Sequence, residues 1–509
     1  MGSHISAMDD ADLLDWYMTV RPGGHGAVRP GGRGPSGMDG GPGFLLAWKR
    51  QPVRYSRGGG IVAAQDVRER TEPTRFPPGP ALPPLVQSVL FQRDRARFLT
   101  AMARRYGDVF TLRVPPFADR VVVYSRPEHI KEIFAGDPRD LHAGEGNQIL
   151  GAIMGPHSLL LTDEAEHARA RRLLMPAFNG AALRGYRALI TEIAVAEADR
   201  WAAGATVPML DRMNALTLEV ITRVVFGVTD ERTRAELNPR LNRIVHLNPL
   251  VFLGFKSDRL RRIGPWKRFA ENLAAVDTLL YTEIAERRRA SDLAGRTDVL
   301  SRLLQVGAGD GDAPLTDAEL RDQLITLLLA GHETTASALS WALYELAADP
   351  EIQRQAAEAA RTGDERYLDA VLQEAMRLHT IISGTNRKLT RDMTIGGQRL
   401  PAGTVVATSI VLAHRRTEAY PDVAVFRPAR FLDREVAPNT WLPFGGGVRR
   451  CIGAGFSLLE GATVLREILV RHALSLPPGS RPERGKIRNI TTVPGGRARV
   501  VVDQRLSSM

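Results

Sequence analysis

One sulfur in this chain is placed to do chemistry. Cys451 is the only cysteine in 509 residues, so no second thiol exists for an intramolecular disulfide. It stands in the run Phe444-Gly445-Gly446-Gly447-Val448-Arg449-Arg450-Cys451-Ile452-Gly453. Three consecutive glycines cost backbone entropy. They suit unusual backbone angles or the close approach of another body, and no packed core is expected to need them. The charges of Arg449 and Arg450 favour thiolate over thiol. The apolar run from Ile452 to Leu469 predicts a helix beginning at the cysteine, whose first amides would stabilise an anion there. A buried, electropositive, deprotonated sulfur on a rigid loop suits an axial thiolate ligand to haem iron. The plainer alternative is a structural cysteine after a glycine turn.

A second group of reactive residues lies 116 positions upstream, in Ala330-Gly331-His332-Glu333-Thr334-Thr335. Thr316 and Glu319 form a capping box, with Leu315 and Leu320 spaced as a hydrophobic staple. The helix they open should run to Asp349-Pro350, roughly 50 Å at about 1.5 Å per residue. Gly331 in its middle costs about 1 kcal/mol against alanine, and two adjacent threonines compete for carbonyls one turn back. Such local conflicts concentrate at functional sites. Without a Cβ at Gly331 a flat ligand could lie against the helix. Thr334 could then hydrogen-bond an oxygen species while Glu333, facing a solvent path, relays protons. A kinked core helix with satisfied threonines is the alternative.

The complete pattern Phe-x-x-Gly-x-Arg-x-Cys-x-Gly from Phe444 to Gly453 resembles the haem-ligand signature of the cytochrome P450 family, the haem-thiolate monooxygenases. The resemblance covers about residues 75 to 503, and within the family it points to bacterial soluble, mycobacterial-type members. It implies a mainly α fold with a small β-rich lobe and haem b as cofactor. Cys451 becomes the iron ligand and Phe444 its neighbour. Gly331 becomes part of the oxygen-binding groove, and Glu333 with Thr334 the acid–alcohol pair of oxygen activation. His167, Arg171, Arg387 and Arg449 become the propionate-binding residues. Glu374 and Arg377 on one helix, with Arg430 from Phe426-Arg427-Pro428-Ala429-Arg430-Phe431, become a buried triad that sets the ligand loop. Leu378-His379-Thr380-Ile381 departs from the family's usual prolines, so the course of Ile381 to Thr385 beside the substrate is less determined. Two other functions remain open, a peroxide-driven peroxygenase and a non-catalytic haem sensor; the Glu333–Thr334 pair argues against the second, because binding needs no proton relay.

The rest of the chain must position these residues. Residues 1 to 70 are rich in glycine and proline and carry no core-forming pattern, which predicts a disordered extension, natural or vector-derived. Trp16 and Trp48 are its only large aromatic anchors of that type. From 71 to 509 one haem domain is expected. It opens at Phe76-Pro77-Pro78-Gly79-Pro80, a stiff lead-in. Helices are predicted over Asp94–Tyr106, Pro127–Phe134 and Asp163–Met175, and strands over Val109–Val114 and Arg120–Tyr124. Leu141 to Leu161 reads as an irregular loop with an apolar centre at Ile149 to Met154. Leu183 to Arg289 reads as long helices interrupted by the apolar stretch Leu247–Phe255, either packing or the lid of a lipophilic channel. Gly396–Gly403 reads as a hairpin.

Composition limits what else the chain could be. The formal charge is +11, and all but six of the 68 basic residues are arginine. They are spread over many helices and interleaved with acids, which argues against nucleic-acid binding and suits an acidic protein partner. No run of about 20 apolar residues predicts a membrane span. With one cysteine and no signal pattern, the expected location is the cytoplasm. No flavin or iron–sulfur pattern occurs, so electrons are expected from a separate ferredoxin-type donor. The substrate class expected is a lipophilic small molecule, with O2 as co-substrate.

Overall fold

The computed structural model describes residues 76–116, 118–227, 231–245, 259–305, 313–432 and 436–505. The readings of residues 1 to 70 and of Leu247–Phe255 lie outside these residues. Thirteen helices of seven or more residues carry the described part of the fold, with four small sheets. In chain order the helices are α1 Pro84–Arg93, α2 Arg95–Tyr106, α3 Pro127–Ala135, α4 Glu164–Leu174, α5 Gly180–Ala198, α6 Met209–Phe226 and α7 Glu231–Val245. They continue as α8 Gly264–Arg289, α9 Val299–Gln305, α10 Asp317–Ala348, α11 Pro350–Thr362, α12 Glu365–Leu378 and α13 Ala454–Leu469.

Local chemistry explains the boundaries that matter for the site. Helix α10 opens on the predicted capping box: the Glu319 N–H donates to Thr316 Oγ1 at 3.2 Å and the Thr316 N–H to Glu319 Oε2 at 2.8 Å. It runs unbroken for 32 residues and is apolar nearly all round, as a helix crossing a core should be. Helix α12 starts where Asp364 accepts from the Arg366 N–H, and it ends with Arg377 in its last turn, complementing the helix dipole. Two apolar clusters result. The larger joins α5, α6, α10, α12 and α13. The smaller lies under the sheet and includes Val122, Tyr124, Phe134, Leu389, Val406 and Leu442.

That sheet has the order β1 Val109–Val114, β2 Ala118–Tyr124, β8 Val405–Ser409, β5 Gly384–Leu389 and β3 Leu141–His142. Only the β2–β8 pair is parallel. Arg387 sits in β5 opposite Val406. The hairpin of β6 Met393–Ile395 and β7 Gln398–Leu400 turns at Gly396 and Gly397, both at positive φ (54° and 76°), which only glycine adopts readily. Near the C-terminus, β10 Gly485–Arg488 and β11 Thr491–Pro494 form a second hairpin. The fourth sheet joins β4 Thr206–Pro208, β12 Arg499–Arg505 and β9 His472–Ser475.

Some expectations change. The stretch Leu141 to Leu161 is not one loop: after β3 it folds into short turns at Ala143–Gly146, Gln148–Leu150 and Gly151–Met154. Arg321 of α10 holds the last of these by donating to the Ile153 and Met154 carbonyls at 3.3 and 3.2 Å. The helix α1 went unpredicted because its proline start and weak amphipathicity carry little periodic signal. The cysteine does not begin its helix; Gly453 caps α13, three residues before which the sulfur lies.

Candidate active site

The cysteine loop is built against α3. Gly445 and Gly447 hold φ of 64° and 63°. A Cβ at Gly446 would fall 2.2 Å from Phe134 Cδ2, and one at Gly447 would fall 2.1 Å from the Phe134 carbonyl oxygen. Packing therefore does require these glycines, contrary to the expectation from sequence. The Cys451 N–H closes the loop by donating to the Phe444 carbonyl at 2.9 Å. Phe444 packs edge-on to Trp441, whose indole N–H reaches the Gln373 carbonyl of α12 at 3.2 Å.

The sulfur is densely surrounded by protein, although the cysteine keeps exposed surface. Burial pushes the thiol above its ordinary range; the Gly453 N–H, Arg171 and Arg450 pull the other way and do not overcome it. The reading of Arg449 as a thiolate-stabilising neighbour is corrected here. Arg449 turns away to pair with Asp163, donating also to the carbonyls of Thr162 at 2.7 Å and Leu159 at 3.3 Å. Coordination to a metal ion is what deprotonates a thiol outright.

His167, Arg171, Arg387 and Arg449 converge from α4, β5 and the cysteine loop. Burial and then the charges of Arg449, Arg171 and Arg387 push His167 down to about 3. Burial, then Arg449, pushes Arg387 down to about 10. Arg449 is lowered by burial and by Arg171. Among the described residues the carboxylate paired with this cluster is Asp163. Cations that depress one another in this way form a site for anions.

The structure brings Glu374, Arg377 and Arg430 together. Glu374 is fully buried and accepts from Arg377 Nε at 2.7 Å and Nη2 at 2.9 Å, from Arg430 Nε at 2.9 Å and from the Arg427 N–H at 3.0 Å. Arg377 goes on to the carbonyls of His414 at 3.1 Å and Val423 at 2.9 Å, and Arg430 to that of Pro421 at 3.1 Å. His414, which sequence reasoning missed, accepts from the Leu442 N–H at 2.8 Å and meets Thr380 Oγ1 at 3.0 Å. These contacts tie α12 to the chain leading into the cysteine loop.

On α10, Thr334 donates to the Ala330 carbonyl at 2.7 Å and keeps its oxygen lone pairs available. Two sequence readings of this helix need correction. A Cβ on Gly331 would come within 2.9 Å of Ile221 Cδ1, so the glycine admits helix α6 rather than a flat ligand. Glu333 does not face solvent; it is 6% exposed. Burial pushes its carboxyl up to about 7, against the opposing pull of Arg488 and Thr491. The neighbouring Thr335 shares a hydrogen bond with Ser457 of α13 at 3.2 Å. That bond, between residues adjacent to Thr334 and six beyond Cys451, brings the acid–alcohol helix and the cysteine helix together. Nothing in the sequence singled out Ser457, Asp163 or Arg488.

Residues 77–498 match the family profile described as Cytochrome P450. The chain belongs to the cytochrome P450 family. It is 60% identical to cytochrome P450 135A1 of Mycobacterium tuberculosis over 438 residues, 86% of this chain and 97% of that protein. It is 43% identical to cytochrome P450 135B1 of Mycobacterium bovis over 433 residues, 84% of this chain and 91% of that protein. Among solved structures, that titled "Retinoic acid bound cyanobacterial CYP120A1" superposes with a TM-score of 0.75 at 24% identity, covering 85% of this chain and all of that one; at this identity the likeness concerns the fold. The chain is thus a haem-thiolate P450 monooxygenase that uses O2 and a redox partner. The single thiol and the cationic cluster fit that cofactor. Among the described residues no helix is long and apolar enough to cross a membrane.

Proposed function

We propose that this P450 binds haem b and inserts one oxygen atom from O2 into a lipophilic small molecule in the cytoplasm, with electrons from a ferredoxin-type protein. Residues 71–509 act as the haem domain and 1–70 as an extension of it. The observation that carries the reading is the Thr335–Ser457 hydrogen bond, which sets Glu333 and Thr334 beside the helix that follows Cys451. When bound, the haem supplies the iron at which O2 is reduced, and a thiolate ligand favours O–O cleavage.

The side chains around it have separate tasks. Cys451 ligates the iron. His167, Arg171, Arg387 and Arg449 would hold the propionates. Glu333, with a carboxyl near neutrality, is suited to take up and release protons at working pH. Thr334 accepts a proton donor's hydrogen bond at the open face of α10, and Gly331 lets α6 support that face. Buried Ile153, Met154 and Ile381 suit an apolar substrate. Arg450 is exposed beside the ligand loop and offers positive charge to an acidic donor protein. Arg169 of α4 is engaged with Glu319 at 2.6 Å.

The test is the reduced carbon-monoxide spectrum of wild type and Cys451→Ser, followed by a screen of lipophilic compounds for a low-spin to high-spin shift. Wild type should show the red-shifted Soret band of thiolate ligation and the variant should lose it. Retention of that band in Cys451→Ser overturns the ligand assignment. Product formation with peroxide and none with a reduced ferredoxin overturns the monooxygenase reading in favour of a peroxygenase.

A further inference from the structure

Glu333 has a partner from a distant part of the chain. Arg488, the last residue of β10, places Nη1 3.5 Å from Glu333 Oε1. Both atoms are shut off from solvent, and neither satisfies hydrogen-bond geometry with any group. A buried carboxylate oxygen and a buried guanidinium nitrogen left in this state, facing each other, cost more than a closed pair. The two charges face each other within ion-pair distance.

What holds Arg488 there is the turn that carries it. Arg95, at the start of α2, is buried and donates to the Asn489 carbonyl at 2.9 Å and the Ile490 carbonyl at 3.0 Å. Thr491 donates to the Arg488 carbonyl at 2.9 Å, and the Thr492 N–H donates to the Ile381 carbonyl at 2.8 Å. The turn is therefore fastened to α2 on one side and to the segment after α12 on the other. Arg488 is the one charged group among the described residues that acts on Glu333. Thr491 on β11 also acts on it as a hydrogen-bond partner, and two residues along α10 Thr335 meets Ser457 of α13. His332 beside it on α10 turns to the Asn214 carbonyl of α6 at 3.0 Å, and its own carbonyl accepts from Thr217 at 3.1 Å.

We propose that Arg488 is a positioning residue for Glu333: from the β10–β11 turn it fixes the carboxyl's orientation and holds its proton affinity low enough for it to cycle. This rests on the reading of Glu333 as the proton-handling acid. Loss of the charge should bind the proton more tightly, and loosening the turn should do the same without touching either partner.

Infrared titration of the purified haem protein tests this without turnover. The Glu333 carboxylic-acid band is identified by its loss in Glu333→Gln. Its midpoint should rise by about one pH unit or more in Arg488→Gln, a tenfold or greater gain in proton affinity. It should return toward wild type in Arg488→Lys, and move upward in Arg95→Gln, which serves as an independent arm should Arg488→Gln fold poorly. A midpoint unmoved in both Arg488→Gln and Arg95→Gln overturns the proposal. Product formed per electron, measured in parallel, separates the two claims. A shifted midpoint with unchanged coupling supports Arg488 as positioning residue and removes Glu333 from the proton path.

Discussion

Replacing Glu374 with glutamine probes the knot behind the cysteine loop. Glu374, Arg377 and Arg430 are all buried, the first two completely. The carboxylate receives four hydrogen bonds, three from two guanidinium groups and one from the Arg427 amide. Glutamine preserves the volume but removes the counter-charge that, among the described residues, the two cations share. Breaking a buried pair by deleting one partner costs about 3–5 kcal/mol, because the remaining charge stays desolvated. Here two charges remain, so the upper part of that range applies. Scaled by unfolding entropy to a domain of this length, about 4 kcal/mol lowers Tm by roughly 4–5 °C. Urea denaturation followed by tryptophan fluorescence and the Soret band would measure it. The thiolate-type carbon-monoxide band should diminish as well, since Arg377 and Arg430 anchor carbonyls between His414 and Val425. Adding Arg430→Met should recover part of the loss by removing one stranded charge. Stability within 1 kcal/mol of wild type for Glu374→Gln, or a double variant that costs the sum of both singles, would refute this account of the triad.

Three further outcomes are expected. Glu333 has a folded pKa near 7 against 4.5 ordinarily, so the stability it permits is full below 4.5 and falls as pH rises through about 7, by about 3 kcal/mol. Glu333→Gln should flatten that slope in denaturation at pH 5 to 8, and an unaltered slope would contradict the buried-acid assignment. Thr334→Ala should retain haem and oxygen uptake but divert electrons to peroxide; unchanged product per electron would exclude Thr334 from oxygen activation. Arg450→Glu should slow reduction by an acidic ferredoxin at low salt, with the difference from wild type vanishing as ionic strength rises, and equal rates at low salt would dismiss the charge-steered donor.

The motifs with one fixed spacing were legible. Cys451, the Glu374–Arg377 pair and the capping box at Thr316 rest on local chemistry, and their partners follow from a family pattern. The reasons behind individual residues were less so, because a sequence does not say which neighbour a missing side chain makes room for. Gly331 answers to Ile221 and Gly446 to Phe134, each from a helix more than 100 residues away. Arg449 is bound by Asp163, and Glu333 is buried under a C-terminal turn. None of these contacts leaves a periodic trace, since each depends on tertiary packing rather than on spacing along one element.

The cationic cluster also sets a schedule for assembly. Arg171 leaves the ribosome 280 residues before Cys451. At about 5–20 residues per second that is roughly a quarter of a minute to a minute. Through that interval the chain holds His167 and Arg171 and none of the sulfur, and Glu374, once made, waits for Arg430. With Cys451 in its proposed role as iron ligand, the cofactor site is consequently completed among the last events of synthesis. A nascent chain stalled before residue 451 would carry Arg171 and lack the one sulfur of the chain.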